Sequence, residues 1–188
     1  MPRIDTVVQI HNFIIKKLVT KLKNDCRKLR ILTESDLQGV IYYFLRGYIQ
    51  KQSKKKVWRI LNKPYIRSVK KRKKGKISKI GTFPDIVIFQ KNRPKIVIEL
   101  KEAKRIKESS INYDLWKIKR LKKTGIRRAY LILLTQTNEY DKIEWFNSIK
   151  IKKGKFSIHT IMINPRLFSN KRKFNEWKKK SKLLTKIK

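Results

Sequence analysis

The sequence predicts an α/β domain, a mixed β-sheet flanked by helices on both faces. Three observations lead there. The chain has 188 residues, 40% of them hydrophobic, which is enough for a sizeable core and unlike a disordered basic tail. The first fifty residues carry helical periodicity. From residue 57 onward, short β-branched runs alternate with helix-like stretches. The whole of 1–188 reads as a single domain. It comprises an N-terminal amphipathic helix over 1–30, a core over 33–165 and a basic C-terminal helix over 166–188.

Residues 4–29 keep Ile4, Val7, Val8, His11, Ile15, Leu18, Leu22 and Leu29 at helical spacing, with the lysines elsewhere. That stripe suits either packing within the chain or the seam of a homodimer, and one stripe does not separate the two. Asp25 to Arg30 forms a basic joint. Thr33 or Ser35 caps a second helix whose stripe is Leu37, Ile41, Phe44, Leu45 and Tyr48. Val57–Leu61 and Tyr65–Val69 read as strands. A basic loop follows, with Lys70, Lys71, Arg72, Lys73, Lys74 and Lys76 around Gly75. Pro84–Phe89 and Lys95–Lys101 are two further strands about a turn at Gln90–Pro94. Ser110–Lys123 places Ile111, Leu115, Ile118 and Leu121 on one helix face and ends at Gly125. Ala129–Thr135 is a buried strand, Glu139–Ile149 a helix and Phe156–Ile163 a strand. Lys171–Lys188 reads as a basic helix carrying Phe174, Trp177 and Leu184.

Charge narrows the partners. Lys and Arg number 52 against 13 Asp and Glu, a formal net charge of +39. Self-repulsion of that size calls for a polyanion, and DNA is the expected one, because each neutralised phosphate releases counterions. The loop at 70–76 is a candidate phosphate clamp. A single cysteine, Cys26, excludes an internal disulfide and a cysteine metal cluster. No apolar run approaches the ~18 residues of a membrane span, and no secretory leader is visible at the start. The expectation is an intracellular protein, in the cytoplasm, nucleoid or nucleus, with no membrane partner. Neither a Walker loop nor a Rossmann glycine pattern is present, so no nucleotide cofactor is expected. His11 and His159 have no ligand-like neighbours in sequence. The four tryptophans are scattered and read as core or docking residues, not as a stacking platform.

The chemistry concentrates in the hairpin. Folding 84–101 about Asn92 sets Phe89 opposite Lys95, Val87 opposite Val97, and Asp85 opposite Glu99. Lys101, two residues beyond Glu99, shares their face. Two facing carboxylates in an apolar setting raise one another's pKa. A divalent cation resolves the conflict, and oxygen ligands suit Mg²⁺ or Mn²⁺. The alternative is a hairpin whose acids and lysine merely pair with each other.

Pro84-Asp85, a short strand and turn, then Glu99-Leu100-Lys101 after an apolar run resembles the motif of the PD-(D/E)XK nuclease superfamily, over about residues 33 to 135. The resemblance implies a restriction-endonuclease-like fold and metal-dependent hydrolysis of DNA, double-stranded or branched. It implies that Asp85 and Glu99 bind the metal, that the Leu100 carbonyl joins them, and that Lys101 assists the nucleophile. Family members often add an acid from the helix before the sheet. Glu34 shares the Leu37, Ile41 and Leu45 stripe and is the choice here, with Asp36 in reserve. The following helix, Tyr113-Asp114-Leu115-Trp116-Lys117, also has a family-like look, and Lys117 is a candidate DNA contact.

Overall fold

In the computed structural model, which describes residues 6–52, 57–71, 77–168 and 175, six strands build one mixed sheet with helices on both faces. The chain opens as one helical run. Thr6–Asn12 (α1) passes through a π turn at Phe13–Leu18 into Val19–Arg27 (α2). Leu29, with positive φ, turns the chain toward Glu34–Gln52 (α3). Strands β1 (Trp58–Asn62), β2 (Ile66–Lys71), β3 (Ile77–Thr82), β4 (Ile86–Gln90) and β5 (Arg93–Ala103) precede α4 (Glu108–Leu121). Then come β6 (Arg128–Thr135), α5 (Tyr140–Ser148), β7 (Lys150–Lys153), β8 (Phe156–Ile163) and the short α6 (Pro165–Phe168).

The sheet runs β1-β4-β5-β6-β8-β7, and β2-β3 form a separate antiparallel pair. The β1, β4 and β5 strands pair antiparallel, whereas β5, β6 and β8 run parallel, linked through α4 and through α5 with β7. The parallel strands are buried on both sides and so read as continuous apolar runs, Leu131 to Leu134 above all. On one face, α1, α2 and α3 cover Ile86, Ile88, Ile96, Ile98, Tyr130 and Ile132. On the other, α4 covers Val87, Val97, Ala129, Leu131 and Leu133. Each fully buried aliphatic side chain contributes roughly 1.5–3 kcal/mol.

The N-terminal stripe differs from expectation. Val8 and Ile15 are exposed, while Ile10, Ile14 and Cys26 are buried with Val7, Leu18 and Leu22. From Ile10 to Cys26 the buried positions recur every fourth residue, which in an α-helix drifts by ~40° per step. The wider π turn halts that drift midway and keeps the stripe on the sheet. Ile4 lies outside the described residues.

Elsewhere the strands extend the sequence reading. β3 and β7 are additional. β7, with three lysines and one isoleucine, is an edge strand ordered by β8, and lysine is the usual guard of such an edge. Lys70 and Lys71, expected in a loop, end β2. Arg72, Lys73, Lys74 and Lys76 lie outside the described residues, as does nearly all of the expected basic helix over 166–188. No described helix is long and apolar enough to cross a membrane.

Candidate functional site

The hairpin turns on Lys91 and Asn92, with Lys91 at φ 54°. Its register pairs Ile86 with Ile98 and Val87 with Val97, which carries Asp85, one residue before β4, to the level of Glu99. Nearer the turn the register shifts. Phe89 faces Pro94, not Lys95, through a bulge between Ile88 and Phe89. Proline brings no N–H to the ladder there, and a bulge absorbs the loss.

β5 is eleven residues long and β4 only five, so residues 99–103 overhang their neighbour. An overhang leaves N–H groups at alternate residues without a strand partner. Carboxylates supply it. Asp85 Oδ2 accepts the Leu100 N–H at 2.8 Å, and Glu34 Oε2 accepts the Glu102 N–H at 3.0 Å. Glu102 in turn accepts the Glu34 N–H at 3.0 Å. A residue's N–H and C=O point to the same side of a strand, so the Leu100 carbonyl also faces the Asp85 edge.

The local sequence explains why Glu34 and not Asp36 reaches the sheet. The Thr33 hydroxyl accepts the Asp36 N–H, and Asp36 Oδ2 accepts the N–H groups of Leu32 and Thr33, a reciprocal cap on α3. Asp36 is consumed by that cap. Burial raises the Glu34 pKa; the Glu102 N–H opposes this, and the charges of Asp85 and Glu102 add to the rise.

Glu99 is 3% exposed and points toward α4. Burial pushes its carboxyl up to about 8; Lys117 opposes the shift, while the Asp85 charge and a hydrogen bond shared with Asp85 add to it. Two carboxyls pressed together away from water resist ionising side by side, a conflict a cation would relieve. Lys117, expected to face DNA, is turned inward, 3.4 Å from Glu99 Oε1 and 3.2 Å from Asp114 Oδ1. Lys101 lies 3.4 Å from Asp114 Oδ2. Burial lowers the Lys117 pKa, but Glu99 and Asp114 outweigh it and the net shift is upward.

Asp114, 5% exposed, escaped the sequence reading as a site residue. Its position three residues before Lys117 on α4 was a signal, but nothing local says that this face meets β5. Two oxygens of the cluster, Glu99 Oε1 and Asp114 Oδ2, are buried without a hydrogen bond, each with an ammonium group 3.4 Å away as its ion-pair partner. Orphaned carboxylate oxygens of this kind mark a place where a cation or water belongs.

These residues fit a hard divalent ion in donor type. Asp85, Glu99 and the Leu100 carbonyl offer oxygen donors, and water would have to complete the shell of Mg²⁺ or Mn²⁺. Glu34 stands close enough to feel Asp85 and Lys101 electrostatically. It does not join the other two in one cluster: among the described residues no three acidic, histidine or cysteine side chains converge as a metal cage. Beside the site, the end of β5 and the start of α4 line an open cleft of about 500 Å³. Lys101, Lys104, Arg105, Lys107 and Ser110 border it together with Glu102, Ala103 and Ile111, so cations outnumber the one acid there. Compared with known protein families, curated proteins and solved structures, the chain matches none of them.

Proposed function

We propose that this protein is a metal-dependent endonuclease of the PD-(D/E)XK type, with a restriction-endonuclease-like core, hydrolysing DNA phosphodiesters with Mg²⁺ or Mn²⁺. The observation that carries this reading is Glu99, a buried carboxyl pressed against Asp85 with one oxygen lacking a hydrogen bond. Burying two adjacent carboxyls costs stability that the ion pair of Glu99 with Lys117 offsets only in part. Asp85 and Glu99 would hold the ion, with the Leu100 carbonyl beside them. When bound, it would supply Lewis acidity and a more acidic water. Lys101 orients water and the scissile phosphate. Water attacks phosphorus, the P–O3′ bond breaks, and the products are a 3′-hydroxyl and a 5′-phosphate. The lysines and Arg105 of the neighbouring cleft hold the strand.

A second reading has its own support. Lys117 already balances Glu99 at 3.4 Å, as it would in a DNA-binding protein that keeps the fold without catalysis. Incubation of pure protein with supercoiled, linear, single-stranded and branched DNA separates the two. Cutting that requires Mg²⁺ and disappears in Asp85→Ala while DNA binding persists supports the enzyme. Binding without cutting on every substrate supports the second reading.

A further inference from the structure

Four large aromatic side chains stand in solvent within two residues of the site or in contact with such a residue. Phe83, 62% exposed, lies two residues before Asp85, and its ring centroid is 5.0 Å from that of exposed Tyr65. On α4, Tyr113 and Trp116 bracket Asp114. Trp116 is 49% exposed, and the two rings stack with centroids 5.7 Å apart. The Arg120 guanidinium covers the Trp116 ring at 4.3 Å, and Lys117 lies 5.9 Å from the centre of Tyr113.

Contiguous exposed rings are costly unless a partner covers them. In a chain of net charge +39, with cations against the Tyr113 and Trp116 rings, the complementary partner is anionic and offers flat π faces. Nucleobases attached to phosphates combine both properties. Paired duplex bases hide their faces in the stack, whereas unpaired bases present them. We infer that the two aromatic pairs, Tyr65 with Phe83 and Tyr113 with Trp116, stack on unpaired bases, so that the strand bound across Asp85 and Glu99 is single-stranded at the cut. This rests on the nucleic-acid reading of the site and names its substrate: a single strand, or the unpaired stretch of a branched molecule.

The test is binding in EDTA, where cutting cannot intervene, measured by fluorescence anisotropy with a labelled oligo-dT and a duplex of equal length. Single strand is expected to bind at least roughly tenfold tighter than duplex. Trp116→Ala and Phe83→Ala should each weaken single-strand binding by roughly tenfold and duplex binding by less than about twofold. Trp116→Phe, which keeps a ring, should restore affinity and reduce the quenching of tryptophan emission by the oligonucleotide. Equal affinity for both DNAs, or equal losses on both, overturns the inference. So does an unchanged single-strand affinity in both alanine variants, which leaves the rings as a protein-docking face. Absence of Mg²⁺-dependent cutting with the single-strand preference intact would count against the nuclease reading alone.

Discussion

The two faces of the sheet bury polar groups at similar depth and treat them in opposite ways. Under α1, the His11 ring nitrogen lies 2.7 Å from the Tyr130 hydroxyl, and His159 bonds Ser157 at 2.9 Å, with the two imidazoles 4.7 Å apart. All four groups are neutral at pH 7. Burial lowers both histidines, His159 to about 4 with help from His11 and Arg128, and pushes the Tyr130 hydroxyl well above its usual range. Under α4, by contrast, Glu99, Lys117, Asp114 and Lys101 form a charged chain with orphaned oxygens. A neutral, satisfied cluster fixes how a helix sits. A charged, unsatisfied one is retained at a cost, and function is the usual reason.

The largest effect expected from this contrast is catalytic. If the proposed nuclease reading holds, Asp85→Ala should lower Mg²⁺-dependent cutting by about 10³-fold while circular dichroism stays native; cutting within about tenfold of the parent would remove Asp85 from the centre. His159→Asn, on the other face, should leave the rate near that of the parent.

Next is the charged chain itself. Lys117→Ala leaves Glu99 without its counter-ion and should cost about 2–3 kcal/mol in urea unfolding, somewhat below the usual loss for a buried pair because Lys117 keeps some solvent access. Glu99→Gln should do the reverse and gain about 1 kcal/mol without metal. Adding Glu99→Gln to Lys117→Ala should recover most of the loss. Additive losses in this cycle would mean that the two groups do not interact.

The faces should also respond oppositely to pH. Histidines held neutral by burial have folded pKa values below the unfolded 6.5, so their contribution is present above that pH and is lost as pH falls toward about 4. Glu99 has a folded pKa raised from 4.5 to about 8, so its contribution is present below 4.5 and is lost as pH climbs through 8. Unfolding midpoints should therefore fall on the acid side in the parent and fall less in His159→Asn, a difference on the order of 1 kcal/mol after solvent screening. On the alkaline side Glu99→Gln should be the flatter of the pair. The smallest effect belongs to the cap: Thr33→Ala should cost ~1 kcal/mol, read as a drop in melting temperature.

What the sequence disclosed followed the range of each interaction. The hairpin is local, so Val87 opposite Val97 and the shared level of Asp85 and Glu99 could be written down from alternation and a short turn. Pro94 carried a warning of the bulge, but the pairing of Phe89 with it is set by the whole ladder. The α4 stripe and the Gly125 terminus, at φ 94°, were readable for the same local reason. Asp114 was not, because pairing α4 with β5 is a tertiary event, and the inward turn of Lys117 belongs to the same event. His11 and His159 looked solitary because 148 residues separate them (159 − 11). Trp116 reads as core by residue type, and only its phase on α4 shows it exposed. The N-terminal stripe departs from a 3.6-residue period because a π turn at Phe13–Leu18 changes the helix's phase.

The overhang of β5 also bears on the order in which the protein assembles. Asp85 and Leu100, which it joins, are fifteen residues apart; Glu34 and Glu102 are sixty-eight apart. By loop-closure scaling the second contact costs about 1.3 kcal/mol more chain entropy to form. The hairpin carboxylates should thus meet early and the α3 acid should dock late. Asp85→Asn would then mainly slow refolding, whereas Glu34→Gln would mainly quicken unfolding. A chevron plot for each variant measures that division, and it makes the one uncovered edge of a strand a clock for the sheet it belongs to.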